Sequence, residues 1–274
     1  MATLYFYAPY DPDGGVLSNW YADEALTVPA SNLPTSSDDI VILSQMDLGP
    51  PLTVNNCTLV EGASISPYLT VLGVAIHNGN SYNEGMTGNA IFNDTSFTQS
   101  PTIITGDVTF NNGSFNLGTI TGNATFNDNS INYGAVTGDA TFNDYSKLND
   151  YELTYGATAF VNGDATFNNF SQGWFSNIDG SVICNDSSNI NDVGVGINAT
   201  FNGNSNWSGT SYISGLATFN DYSTCGNDLS ADGGIILNNY ASVIAIVHSN
   251  TIFNDNSHNE YQLDAIATFN DNSY

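Results

Sequence analysis

Apolar and polar positions alternate along most of the chain in short runs that close on turn residues. The unit is Ala-Thr-Phe-Asn-Asp-x-Ser, aligned on its Phe at Phe92, Phe110, Phe126, Phe142, Phe167, Phe201, Phe219, Phe253 and Phe269. Cys184 and Leu237 hold the anchor place in two degenerate copies, and a weaker copy is expected near Ile76. Nine of the ten intervals between these eleven anchors are 16 to 18 residues, and one is 25. Ala-x-Phe alternates with period 2, and no apolar stripe at i, i+3, i+4 persists, so a helix is excluded. Thr, Phe and Ile followed by Asn-Asp read as a strand entering a turn.

The columns of this alignment predict the architecture. The residue after the anchor is Asn in all eleven copies, Asn127, Asn143 and Asn220 among them, and four after it stands Ser in every copy except Ala241. Thr or Ile precedes each anchor, and Gly recurs four before it, as at Gly106, Gly122 and Gly180. Two short strands and two corners per repeat make one coil of a β-solenoid. One corner is given to Gly, with its freedom at positive φ, and the other to Asn-Asp. The expectation is an all-β, single-stranded β-solenoid (a parallel β-helix) of about 11–12 coils, each 16–18 residues long.

Stacked coils lie about 4.8 Å apart, which would draw eleven of them into a rod roughly 50 Å long. Phe92, Phe110, Phe126, Phe142 and Phe167 then form an internal aromatic stack. The Asn column forms an amide ladder, and the Ser column is expected to do likewise. Residues 1–75 read as an N-terminal cap or attachment segment with irregular first coils, and 76–274 as the repeat rod. The last repeat, ending at Ser273, is nearly a consensus copy, so an uncapped end and self-association through it are expected.

Composition narrows the function. One Lys, no Arg and 27 acids give a net charge of −26. Nothing basic is present to neutralise phosphates, so nucleic acid is excluded as a partner, and anionic membranes would repel the chain. No apolar run is long enough for a transmembrane helix, and the first residues lack the pattern of a secretory signal. Cys57, Cys184 and Cys225 form no disulfide or zinc pattern. Self-repulsion at this charge suits a salty medium.

Candidate chemistry falls in two places. Two after the anchor stand Asp94, Asp128, Asp144, Asp186, Asp221, Asp255 and Asp271, interrupted by Asn112, Asn169, Gly203 and Asn239. Carboxylates on adjacent coils could share Ca²⁺, or Asp could simply open a turn that faces water. No other cofactor is expected. The 25-residue interval inserts residues around 147–156, and Tyr151, Tyr155, Phe170, Trp174, Phe175, Trp207 and Tyr212 gather on or after it. Exposed aromatics among acids and amides suit a protein interface or stacking on a glycan, while a plain variable loop is the bland alternative. Paired acids could also cleave glycosidic bonds. Here the acids recur in every coil rather than marking one site, and Lys147 is the only basic partner, so no catalytic residue is assigned. His77, His248 and His258 are scattered. The outward Thr/Ile column could order ice-like water or pack on a neighbour, and the Ile copies favour packing.

The segment 20–43, a Trp followed by Leu-Pro-x-Ser-x-Asp-Asp-Ile-x-Ile, is similar to openings of β-helical surface and virion proteins. The tandem Gly-Asn-Ala-Thr-Phe-Asn-Asp-x-Ser resembles repeats in fibre-like proteins of marine bacteria and their phages. This resemblance implies a non-enzymatic structural subunit, a phage fibre or capsid decoration protein located in a virion or outside the cell. Its partners would be copies of itself and other structural proteins. The rival is a glycan-binding adhesin or tail receptor binder.

Overall fold

The computed structural model describes residues 2–10, 12–66, 69–150, 159–209, 212–244, 246–260 and 262–274. The chain is an all-β parallel solenoid of about 13 coils of roughly 17 residues. Among the described residues, no helix is long and apolar enough to cross a membrane. Two units are present, Met1–Ala124 and Thr125–Tyr274.

In the first unit the parallel ladder starts well before residue 76. Strand Thr3–Phe6 pairs with Asp39–Ile42, which pairs with Cys57–Leu59, and that strand pairs with Leu69–His77. The residue between Leu59 and Phe92 in this register is His77, so the weak copy near Ile76 has a histidine as its anchor. The opening strand also carries an antiparallel partner. Trp20 lies opposite Phe6, its ring meets the Phe6 ring edge-on at 5.1 Å, and its indole N–H donates to the Gly14 carbonyl at 2.8 Å. This strand, Trp20–Tyr21, covers an edge that would otherwise offer unpaired backbone groups.

In the second unit, Ala140–Phe142, Ala165–Phe167, Val182–Cys184, Ala199–Phe201, Ala217–Phe219, Ile235–Leu237, Thr251–Phe253 and Ala267–Phe269 pair in sequence, anchor over anchor. The long interval leaves this register intact: Phe142 still meets Phe167, with rings stacked at 4.8 Å. Tyr151 and Tyr155 lie outside the described residues.

Two corner expectations are corrected. A coil has three strands, not two: Val108–Phe110, Phe115–Asn116 and Thr119–Ile120 form one turn of the first unit. The missed strand follows the Ser and points a single residue inward, too short a pattern to read as alternation. The Gly column takes the expected positive φ at Gly88 and Gly106, 129 and 155°, and in later coils serves close approach instead. A methyl on Gly163 would stand 2.6 Å from the Gly138 carbonyl oxygen, and one on Gly180 would overlap the Gly163 carbonyl. Neither glycine is in the left-handed region.

Candidate functional site

The Asn-Asp-x-Ser corner is where conserved geometry meets solvent within each unit. In the second unit the Asn amides form eight successive rungs. Nδ2 of each donates to Oδ1 of the Asn one coil earlier, from Asn143 on Asn127 to Asn270 on Asn254, at 2.8–2.9 Å. In the first unit Asn111 and Asn93 do the same onto Asn93 and Asn78 at 3.0 Å. A carboxamide has a donor and an acceptor at opposite ends and can span the gap between coils. One hydroxyl stacked about 4.8 Å above another cannot bond it, since an O–H···O bond spans about 2.5–3.0 Å. The expected Ser ladder accordingly does not form. Ser96, Ser257 and Ser273 bond backbone carbonyls of the preceding coil, whereas Ser146, Ser171, Ser205 and Ser223 bury hydroxyl oxygens that have no partner.

The Asp column has a backbone explanation. Asp94, Asp128, Asp144, Asp186, Asp221, Asp255 and Asp271 all have φ between 50 and 61°. Asn112, Asn169, Asn239 and Gly203, which interrupt the column, share this left-handed conformation. Asp, Asn and Gly are the residues that tolerate it best. All seven carboxylates are exposed. Among the described residues, no group of three or more His, Cys, Asp or Glu is placed to hold a metal ion. At two places where an Asn follows an Asp along the column, the pair bonds: Asn169 Nδ2 donates to Asp144 Oδ1, and Asn239 Nδ2 to Asp221 Oδ1, both at 3.1 Å.

The aromatic candidates separate. Phe170 is exposed and stacks on Tyr145, with centroids 5.2 Å apart. Trp174 is half-buried, bonds Gln172 Oε1 at 3.1 Å and lies 6.4 Å from the exposed Phe175. Tyr212 is exposed and donates its hydroxyl to the Asp232 carboxylate, which raises the phenol pKa. Trp207 is not a surface residue. It is the central residue of strand Asn206–Ser208, faces inward between Ile190 and Cys225, and meets Phe201 edge-on at 5.7 Å. Alternation in a three-residue strand buries it, and its indole N–H has no partner there.

Sequence reasoning passed over Tyr145, Tyr222 and Tyr240. The signal was available: all three fill the variable x of Asn-Asp-x-Ser, a place that turn geometry points at solvent. Tyr222 stacks on Tyr240 at 5.2 Å, the same arrangement as Tyr145 on Phe170. Lys147, the single cation, is engaged with Asp150 at 3.1 Å. All three cysteines are buried, and burial raises their pKa, that of Cys225 to about 12.

Comparison with protein-family models, with curated proteins and with solved structures finds no match.

Proposed function

We propose that this chain is a non-enzymatic structural subunit, of the fibre or capsid-decoration kind its repeat resembles, that packs side by side with copies of itself. The observation that supports this most is the outward Thr/Ile column of the second unit. Ile183 and Ile252 stand exposed at the centres of strands Val182–Cys184 and Thr251–Phe253, and Ile266 is exposed beside the latter. Threonine fills the same place in neighbouring coils, as at Thr166, Thr200 and Thr268. Isoleucine there adds apolar area that water disfavours and a flat neighbour would cover.

Charge sets the condition. Two surfaces from chains of net charge −26 repel each other unless salt shortens the Debye length, to about 3 Å at 1 M. Light scattering and electron microscopy of the full chain across a salt series test the reading. Oligomers that grow with salt and fall apart in Ile183→Thr/Ile252→Thr/Ile266→Asn support it. Thr holds the place of Ile183 and Ile252 in other coils, and Asn holds that of Ile266, as at Asn123 and Asn198, so the fold is kept. A chain that stays monomeric in high salt overturns it. Oligomers insensitive to the three substitutions would point to association through the last coil instead.

A further inference from the structure

Two corners of the second unit repeat a device found at no other pair of adjacent repeats. Asn143-Asp144-Tyr145-Ser146 is followed one coil on by Asn168-Asn169-Phe170-Ser171, and Asn220-Asp221-Tyr222-Ser223 by Asn238-Asn239-Tyr240-Ala241. Each time an Asp accepts from the Asn of the next coil at 3.1 Å. Each time the adjoining rings stack nearly parallel, at 7° and 6°, with centroids 5.2 Å apart. The four rings are 50–61% exposed. The two coils between the pairs carry Ser187 and Asn204 at the ring position.

We propose that these two corners are platforms for a neutral polysaccharide that runs along the coil axis. Four features converge on that ligand. Parallel rings in contact lie about 3.5–4.0 Å apart, so centroids at 5.2 Å mean a slipped stack that leaves part of each ring face open to the apolar C–H face of a sugar. Next to each stack, an Asp–Asn pair offers acceptor and donor atoms to sugar hydroxyls. The lone Lys is bonded to Asp150, so an acidic polymer would meet only repulsion. Finally, the ring positions Phe170 and Tyr222 are three coils apart, roughly 14 Å at the usual strand spacing, a periodic arrangement that suits a ligand with a repeat of its own.

Backbone conformation supports a role for the rings of the first pair; Tyr222 and Tyr240 are not in the left-handed region. Tyr145 and Phe170 both have φ of 67°, a left-handed conformation costly for bulky residues. Asn129 fills the equivalent place at φ 65°. Asn would suit these sites better on local grounds, and the aromatic rings stand there instead.

Native gels cast with soluble neutral polysaccharides (β-glucan, mannan, galactan and dextran) test the proposal on the full chain, with alginate and polylysine run in parallel. At least one neutral polymer should retard the protein. Tyr145→Asn/Phe170→Asn and Tyr222→Asn/Tyr240→Asn should each weaken that binding at least tenfold, and the fourfold variant should abolish it, because two linked sites bind with avidity. These variants install the turn residue of Asn129 and Asn204, and circular dichroism confirms their fold. The proposal is overturned if no neutral polymer retards the chain, if the fourfold variant binds as before, or if only polylysine binds, which would make the partner a basic protein. The Ile183→Thr/Ile252→Thr/Ile266→Asn variant should bind polysaccharide unchanged, which separates this site from side-by-side packing.

Discussion

The imidazole of His77 lies flat on the ring of Phe92, with centroids 4.2 Å apart and planes within 10°. It continues the aromatic column of the first unit with a titratable ring, fully buried, whose Nε2 accepts from the Asn83 amide at 3.3 Å. Burial lowers its pKa from 6.5 to about 3. The folded chain therefore holds His77 neutral where the unfolded chain would protonate it. Stability should be level above pH 6.5 and fall as pH drops from 6.5 toward 3, by about 3 kcal/mol at pH 4.5 from this residue. Denaturant titrations of wild type and His77→Phe at pH 7.5 and 4.5 measure it. The variant should lose this component of the acid sensitivity; equal slopes in both proteins would remove His77 as the cause.

Asn202 stands in the middle of the longest amide ladder, donating to Asn185 and accepting from Asn220, both at 2.9 Å. Asn202→Ala removes both bonds and leaves a half-buried donor and acceptor on its neighbours. The expected loss is about 2–3 kcal/mol, read as a lower denaturation midpoint at unchanged slope. Asn202→Asp keeps an acceptor for Asn220 but sets a carboxylate against the Asn185 oxygen, and should also destabilise.

The Asp column separates conformation from charge. Asp128 and Asp144 occupy adjacent coils with φ of 51 and 50°. Asp128→Asn keeps a side chain suited to that conformation and relieves a repulsion of about 0.8 kcal/mol at 5 Å in water, so the melting temperature should rise slightly in low salt. Asp128→Ala loses the tolerance for positive φ and should cost about 1 kcal/mol. If Ca²⁺ bridges the column, chelation at fixed ionic strength should lower the melting temperature, and Asp128→Asn should behave as a destabilising change instead.

Gly180 is fixed by the backbone it faces. A methyl there would overlap the carbonyl of Gly163, and a backbone atom of the neighbouring coil cannot rotate away as a side chain would. Gly180→Ala should therefore destabilise by several kcal/mol, in the range of severe steric substitutions. Circular dichroism melts of this variant beside Gly49→Ala, whose added methyl meets nothing within 4 Å, check the assignment.

Much of this architecture was legible because each coil repeats the same decision. An inward Phe, a paired Asn and a turn residue at positive φ recur often enough for their columns to stand out. Elements that occur once, or vary between copies, did not show. Leu59 and His77 continue the anchor column without a Phe, so the ladder below residue 76 was hidden. Trp207 looked like a surface aromatic because its strand is three residues long and its neighbours on the inner column are Ile190 and Cys225, which share no residue type with it. Tyr145 and Tyr222 were hidden for the opposite reason: they sit in the one column where any residue is accepted, so their identity drew no notice.

The interval between strands Lys147–Leu148 and Phe160–Val161 has a further consequence. Its coil takes 25 residues to return to the anchor position where most coils take 16 to 18, yet Ala140, Thr141 and Phe142 pair with Ala165, Thr166 and Phe167 without a slip. Doubling the length of a flexible loop costs only about 0.6 kcal/mol in closure entropy, so the ladder hardly registers what is threaded between its rungs. That interval is a permissive graft point: an epitope, tag or reporter peptide spliced there would be carried on a ladder whose register does not depend on the passenger.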